Sequence, residues 1–531
     1  MKKDLFKIGS MAVSVVTLLS ACTKDLNRNP INSTTAANVY STVAGCKQAL
    51  AKVYGAYALT SSNGSGASDL GGIDAGTSDF VRLLWDAQEL STDEAVCAWN
   101  DPGVPDFHNM NWTSGNVILD GLYSRCLYQI TVANSFIINT ADANLGAFAA
   151  ADQTTIKQFR AEARFLRAFQ YWVLMDLFAN PPFTTEKSPI GASFLPPQTD
   201  RTKLFAYVEG ELLDLDKTNA MVAAKQNEYG RADQAAVWAL LARLYLNAEV
   251  YLGTGNGRYT DAITYSSKVI NAGYVLLPNY RNLFLADNNT NNTEQILSIA
   301  YDGQHTQNYG GTTFIINASI GGSMTPANYG VPGGGWGGNR VTSTIPSLFP
   351  DVTGSTDKRA LFYTNGQSET INSIATFTNG YAVTKFQNVN SNGTTPTNAS
   401  VYASTDFPLF RLAEQYLIYA EAVLRGGTGG SQAQAITYIN KLRERAYGNA
   451  NGDVTSLTLQ DVLNERGREL YWECFRRTDL IRYGLFTGNS YLWPWKGGVS
   501  SGTNVDGHFN VFPLPSVDLA ANPNLIQNKG Y

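Results

Sequence analysis

The feature that most constrains this chain is a helical pattern that appears twice, far apart in the sequence. Leu241-Ala242-Arg243-Leu244-Tyr245-Leu246 is matched by Leu412-Ala413-Glu414-Gln415-Tyr416-Leu417. A short gap later, Ala262-Ile263-Thr264-Tyr265 is repeated as Ala435-Ile436-Thr437-Tyr438. Each unit reads as a helix, a Gly-rich turn and a second helix. Small Ala residues let the two helices approach closely, while Leu and Tyr fill the groove between them. Neither helix buries its apolar face alone, so such pairs must stack. The two copies are not in one tandem array, so the fold has to bring them together in space.

This is the logic of tetratricopeptide-like repeats, whose unit is about 34 residues. Apolar periodicity extends it, predicting amphipathic helices over 34–59, 116–140, 154–178, 203–215, 234–252, 259–272, 409–424, 432–446 and 457–483. Between them the composition changes. Residues 286–408 are rich in Asn, Gly, Thr and Ser and include Gly333-Gly334-Gly335-Trp336-Gly337-Gly338. Residues 60–106 open with Thr60-Ser61-Ser62-Asn63-Gly64-Ser65-Gly66. Both segments read as loops, the longer one with short strands. The expected architecture is therefore mainly α. A scaffold of helix pairs spans about 34–59, 107–285 and 409–486, and a loop-rich subdomain spans about 60–106 and 286–408.

The first residues give an address. Lys2, Lys3 and Lys7 precede an apolar run over 8–21, which ends Leu19-Ser20-Ala21 directly before Cys22. That run is shorter than the ~20 residues needed to span a bilayer. It reads as a cleaved signal over 1–21, with Cys22 as a lipidated N-terminus. The mature chain, 22–531, is expected to be a single domain anchored to a membrane it does not cross.

Net charge is −5, with no basic concentration, which argues against nucleic acid. Only 3 His are present, and no metal-ligand spacing, nucleophile motif or phosphate loop is evident, so neither metal nor cofactor is expected. Five cysteines lack any Cys-x-x-Cys spacing, and Cys46, Cys97, Cys126 and Cys474 read as buried free thiols, with a disulfide among them allowed. Glu465, Glu469 and Glu473 lie at i, i+4, i+8, with Arg466, Arg476, Arg477 and Arg482 nearby. A helical glycoside hydrolase would use two such carboxylates as acid and base. An ion-pair network between helices is the simpler reading. Aromatics are abundant (28 Tyr, 24 Phe, 9 Trp), which suits a surface that grips a ligand by flat contact.

Several separated motifs then resemble one family. Residues 159–178 (FRAEARFLRAFQYWVLMDLF) with Pro181-Pro182-Phe183 are similar to a signature helix of the SusD-like (SusD/RagB) outer-membrane lipoproteins. So are Glu465-Arg466-Gly467-Arg468-Glu469-Leu470, Arg476-Arg477-Thr478-Asp479, residues 274–284, and the tail Pro513-Leu514-Pro515 through Gln527-Asn528-Lys529-Gly530-Tyr531. The resemblance spans the mature chain and is strongest to the starch-binding member. It implies a non-enzymatic, lipid-anchored protein at the outer face of the outer membrane. Such a protein captures starch or maltooligosaccharides and passes them to a TonB-dependent, SusC-like transporter. The segments around Asp74, Arg82 and Trp99, and the Gly-flanked Tyr309 and Trp336, match the ligand region. These residues are expected to bind glycan, with rings covering sugar faces and Arg or carboxylate groups meeting hydroxyls. The loop after Trp99 is one residue shorter than in the starch binder, leaving the next polar contact to Asn100 or Asp101. Cys97 stands where that protein has a second Trp. A family member that binds another glycan or a peptide, and a helix-repeat scaffold that binds only protein, remain alternatives.

Overall fold

The computed structural model describes residues 36–531 except 192, 291 and 398. The proposed signal 1–21 and Cys22 lie outside the described residues. The chain divides into two units, 1–49 and 50–531. In the first, α1 (Ala36–Val39) precedes the start of α2 (Val43–Ala58). The expected continuous helix over 34–59 is thus interrupted at 40–42. There the Thr42 hydroxyl accepts from the Gly45 N–H (3.0 Å), a side-chain cap that starts a new helix.

The second unit is mainly α. Its helices are α3 (Phe80–Glu89), α4 (Pro105–Asn109), α5 (Val117–Asn139), α6 (Ala150–Phe178), α7 (Arg201–Thr218), α8 (Gln234–Leu246), α9 (Ala248–Leu252) and α10 (Tyr259–Ile270). After these come α11 (Gly311–Ala318), α12 (Leu412–Leu424), α13 (Gln432–Tyr447), α14 (Leu459–Leu470), α15 (Arg476–Arg482) and α16 (Ser516–Ala521). Polar residues just before the apolar runs set several starts. Asn116 accepts from the N–H groups of Ile118 and Leu119, and Asp233 from those of Ala235 and Ala236. Thr458 and Asp461 close a reciprocal capping box on α14.

The helices pack in series, α5 on α6, α6 on α7, α7 on α8, α8 on α10, α10 on α12 and α12 on α13. The two sequence repeats, α8–α10 and α12–α13, are therefore neighbours despite the long excursion between them. Repeat-equivalent residues meet across the join: Arg243 forms a buried ion pair with Glu414 at 2.7 Å. Equivalent tyrosines also touch within each unit, Tyr245 on Tyr265 at 5.7 Å and Tyr416 on Tyr438 at 4.6 Å.

The excursion carries the short strands. β1 (Ala95–Cys97) pairs antiparallel with β3 (Asn339–Val341), β2 (Gln295–Ile299) with β6 (Phe407–Arg411), and β4 (Phe362–Tyr363) with β5 (Ala382–Val383). Besides the break at 40–42, three expectations are corrected. The helix expected over 234–252 is two, Gln234–Leu246 and Ala248–Leu252, meeting at Asn247. The 60–106 segment is not wholly irregular, because α3 crosses it, capped by Asp79 and buried on nearly every side. The helix expected over 457–483 is two helices, broken at 471–475. Trp472 (φ 68°) and Cys474 (φ 67°) take left-handed backbone there. Their N–H groups donate to the carboxylates of Glu94 and Glu89, from the end of α3 and just beyond. These two acids are buried side by side, and burial with mutual repulsion holds Glu89 well above the usual carboxylate range.

The carboxylates at 465, 469 and 473 are sealed inside an ion network, though not with all the arginines nearest in sequence. Glu469 accepts from Arg411 (2.7 Å), Arg359 (3.0 Å) and Arg445 (2.5 Å). Glu465 meets Arg359, Arg443 and Arg468, and Glu473 meets Arg411 and Lys385. Arg466 turns instead to Asp479, Arg476 to Asp93 and Arg482 to Glu421, while Arg477 donates to the carbonyls of Phe509 and Asn510. Burial raises the Glu465 pKa, but Arg359, Arg468 and Arg443 outweigh it and draw the group down to about 2. The four described cysteines, Cys46, Cys97, Cys126 and Cys474, are all free.

Candidate functional site

The loop-rich region gathers aromatic side chains from four distant places. The first is fixed by α3. Asp74 closes the turn before it, its carboxylate accepting from the Thr77 N–H at 3.2 Å. Gly76 in that turn lies against Tyr309, where an added Cβ would stand 2.6 Å from the Tyr309 Cβ. Only glycine permits this approach, so the turn and the tyrosine are seated on each other. Arg82, in the first turn of α3, lays its guanidinium over the rings of Phe314 (4.7 Å) and Trp99 (5.9 Å). It has no carboxylate within ion-pair distance among the described residues. Asp86, one turn further, is fully buried, and burial pushes it up to about 7 against the pull of Arg82.

Trp99 follows β1. Its ring stands edge-on to Phe314 at 6.0 Å, and its indole N–H donates to the Trp336 carbonyl at 3.1 Å. The face of the ring lies on Gly338, where a Cβ would come within 2.6 Å. Trp336 sits in the glycine loop, and that loop caps α11. The N–H groups of Trp336, Gly337 and Gly338 donate to the carbonyls of Asn317, Ile320 and Ala318 at 2.8, 2.8 and 2.7 Å. The carbonyls at a helix C-terminus lack intrahelical partners, and here the loop supplies them. The indole is thus presented by a rigid backbone although its sequence looks flexible.

Tyr309 enters the opposite end of α11. The Gly311 N–H donates to Asp79 at 2.7 Å, tying this end to α3, and Tyr309 itself is 41% exposed. Beyond it stands Tyr402, whose hydroxyl donates to Ser65 at 2.9 Å. The four rings form a run. Tyr402 to Tyr309 is 5.3 Å at 50°, Tyr309 to Trp336 is 6.3 Å at 49°, and Trp336 to Trp99 is 6.5 Å at 47°. Each ring is turned by 47–50° from the last, so this aromatic run, or arc, is not one flat platform.

Of the residues singled out from the sequence, Arg82, Trp99, Tyr309 and Trp336 come together, and Asp74 lies in the turn beneath Tyr309. Asn100 and Asp101 follow Trp99 on the exposed surface, and their side chains have no protein partner among the described residues. Cys97 is buried in β1 and supplies no ring. Sequence reasoning missed Tyr402 and Phe314. Tyr402 carries no flanking glycine, and Phe314 reads as ordinary helix core. The three histidines stand in three different settings. His305 pairs with Asp302, His508 with Asp506, and burial lowers the pKa of His108 to about 4.

A family model described as "SusD family" matches residues 352–531, and one described as "Starch-binding associating with outer membrane" matches 91–246. Among solved structures, a SusD homolog from Bacteroides thetaiotaomicron superposes with a TM-score of 0.73 at 19% identity, covering 94% of this chain and 99% of that one. Surface glycan-binding protein A from Bacteroides fluxus gives 0.70 at 20% identity, covering 92% and 99%. These share the helix-pair fold. Full-length sequence similarity goes further. The chain is 35% identical to the starch-binding protein SusD of Bacteroides thetaiotaomicron, over 100% of this chain and 99% of that protein. It is 27% identical to SusD-like protein P2 of Formosa agariphila, over 79% and 83%. The chain belongs to the SusD family.

Proposed function

We propose that this protein is a non-enzymatic glycan-binding lipoprotein of the outer membrane's outer face. It captures starch-type oligosaccharides on the aromatic arc and delivers them to a TonB-dependent, SusC-like transporter. The observation that carries the reading is the arc itself, with four rings at 5.3–6.5 Å spacing, each tilted by 47–50° from its neighbour. A sugar offers an apolar C–H face to a ring and hydroxyls at its rim. An α-linked glucan curls, so successive sugars turn relative to each other and suit rings that do the same. Arg82, held on two aromatic faces without a carboxylate partner among the described residues, is free to donate to hydroxyls, and the exposed Asp74, Asn100 and Asp101 are the further polar contacts of this reading.

The similarity to starch-binding protein SusD, over the whole of both chains, supports the same ligand class, and the basic start and apolar run before Cys22 support the lipid anchor. The resemblance places a second Trp of the starch-binding member where this chain has the buried Cys97, and Tyr402 extends the ring run at its other end. Weak affinity, micromolar to millimolar, is expected, 1 mM corresponding to about −4 kcal/mol. Such weakness suits a protein that must release its ligand to a pore. The test is a glycan array followed by calorimetry with maltoheptaose. Retention of α-glucans supports the reading. Selective retention of another glycan keeps the site and changes the ligand. Hydrolysis of α-glucan, detected as new reducing ends, would overturn the non-enzymatic assignment.

A further inference from the structure

The two repeat units hold equivalent tyrosine pairs, but only one pair is covered. In the first unit α7 supplies two acids. The Tyr245 hydroxyl donates to Glu209 at 2.9 Å, and the Trp238 indole N–H donates to Asp216 at 2.6 Å. Lys268 pairs with Asp216 at 2.7 Å and Arg258 with Glu209 at 3.1 Å, so the groove over Tyr245 and Tyr265 is bridged shut.

In the second unit Tyr416 and Tyr438 stack with their planes 6° apart. Lys441 occupies the position equivalent to Lys268, with its amine 5.7 Å from the centre of each ring. The facing wall is the end of α10 and the chain beyond it, Ile270, Asn271, Tyr274 and Val275, which carries no carboxylate. Among the described residues the hydroxyls of Tyr416 and Tyr438 and the amine of Lys441 have no hydrogen-bond or ion-pair partner. They line an open cleft of about 710 Å³, within the roughly 300–1,000 Å³ of ligand clefts. Val275 on its wall is 60% exposed. The other charged groups are Glu444, exposed at the cleft, and Arg445, which is already committed to Glu294 and Glu469.

We propose that this cleft is a docking site for an acidic peptide segment of a partner protein. Its carboxylates take the roles that Asp216 and Glu209 play in the first unit, one pairing with Lys441 and accepting from Tyr438 as Asp216 does with Lys268 and Tyr265, the other accepting from Tyr416 as Glu209 does from Tyr245, while an adjacent apolar side chain covers Val275. The first unit is the template: the same lysine and the same tyrosine pair are satisfied there by acids on a neighbouring segment. A neutral sugar would leave Lys441 unpaired and Val275 bare.

The test uses the mature chain and a capped, fluorescent peptide of this protein's own residues 207–218, which carries Glu209 and Asp216 with intervening leucines. Fluorescence anisotropy should show saturable binding to the unmodified chain and at least a tenfold loss in Lys441→Glu. Lys441 is solvent-exposed, so that variant should keep the unmodified melting temperature. A peptide with Asp216→Lys should fail on the unmodified chain and recover on Lys441→Glu. Absence of saturable binding overturns the proposal. So does equal binding by Lys441→Glu, equal binding by a Glu209→Gln, Asp216→Asn peptide, or failure of the charge swap to restore affinity.

Discussion

Glu469→Gln separates a structural carboxylate from a catalytic one. Glu469 is fully buried and receives hydrogen bonds from Arg359, Arg411 and Arg445. A glutamine keeps the shape but removes the charge and turns amide hydrogens toward guanidinium groups. Removing one partner of a buried ion pair costs about 3–5 kcal/mol, because the charge left behind is uncompensated. The loss should therefore be about that size in guanidinium denaturation at pH 7. Burial raises the Glu469 pKa, but Arg445, Arg411 and Arg359 more than reverse this and hold it well below the usual carboxylate range. Its folded pKa thus lies under its unfolded value. The stabilisation is complete above the unfolded pKa of about 4.3 and fades as the pH falls below it. The gap between variant and unmodified chain should accordingly narrow from pH 5 to pH 2. Glu465, drawn down to about 2, fades over the same window. A difference under about 0.5 kcal/mol at pH 7, or a gap that widens on acidification, would refute the reasoning.

Arg82→Ala and Tyr402→Ala should each weaken maltoheptaose binding by about 1–3 kcal/mol, some 5- to 150-fold by calorimetry, with melting temperature nearly unchanged. Tyr402→Phe, which keeps the ring and loses the hydroxyl's contacts with Ser65 and Tyr309, should retain most of the affinity. Trp172→Ala on α6 should instead destabilise the fold by about 3–5 kcal/mol, because Trp172 packs on Phe169 at 5.9 Å beneath Arg243; a stable variant would argue against that helix as core. Cys22→Ala should move the protein from the membrane fraction to the soluble one after a salt wash, and continued sedimentation would refute the lipid anchor.

The helices were legible wherever periodicity and a cap agreed. The 116–140 expectation became Val117–Asn139 because Asn116 both ends the loop and caps the helix. The adjacency of α10 and α12 followed from the repeat, since isolated pairs cannot bury their faces. The break at 471–475 was hidden because the charge pattern runs through it at helical spacing. What breaks it is a pair of acids, Glu89 and Glu94, remote in sequence. Helix α3 was masked by the Gly- and Ser-rich approach to it. In the site, glycines beside Tyr309 and Trp336 signalled exposed rings, whereas Tyr402, placed by the pairing of Val401 with Asn317, left no local mark. Long-range partners such as Arg359 and Arg411 are likewise invisible until the fold brings them to Glu469.

The central claim is that the arc is the glycan site. Its most direct test is affinity electrophoresis in amylopectin gels, comparing the unmodified chain with a Trp99→Ala, Tyr309→Ala, Trp336→Ala variant whose circular dichroism remains native. Strong retardation of the unmodified chain and free migration of the variant are the predicted result. Equal retardation of both would contradict the account by placing the glycan on another surface.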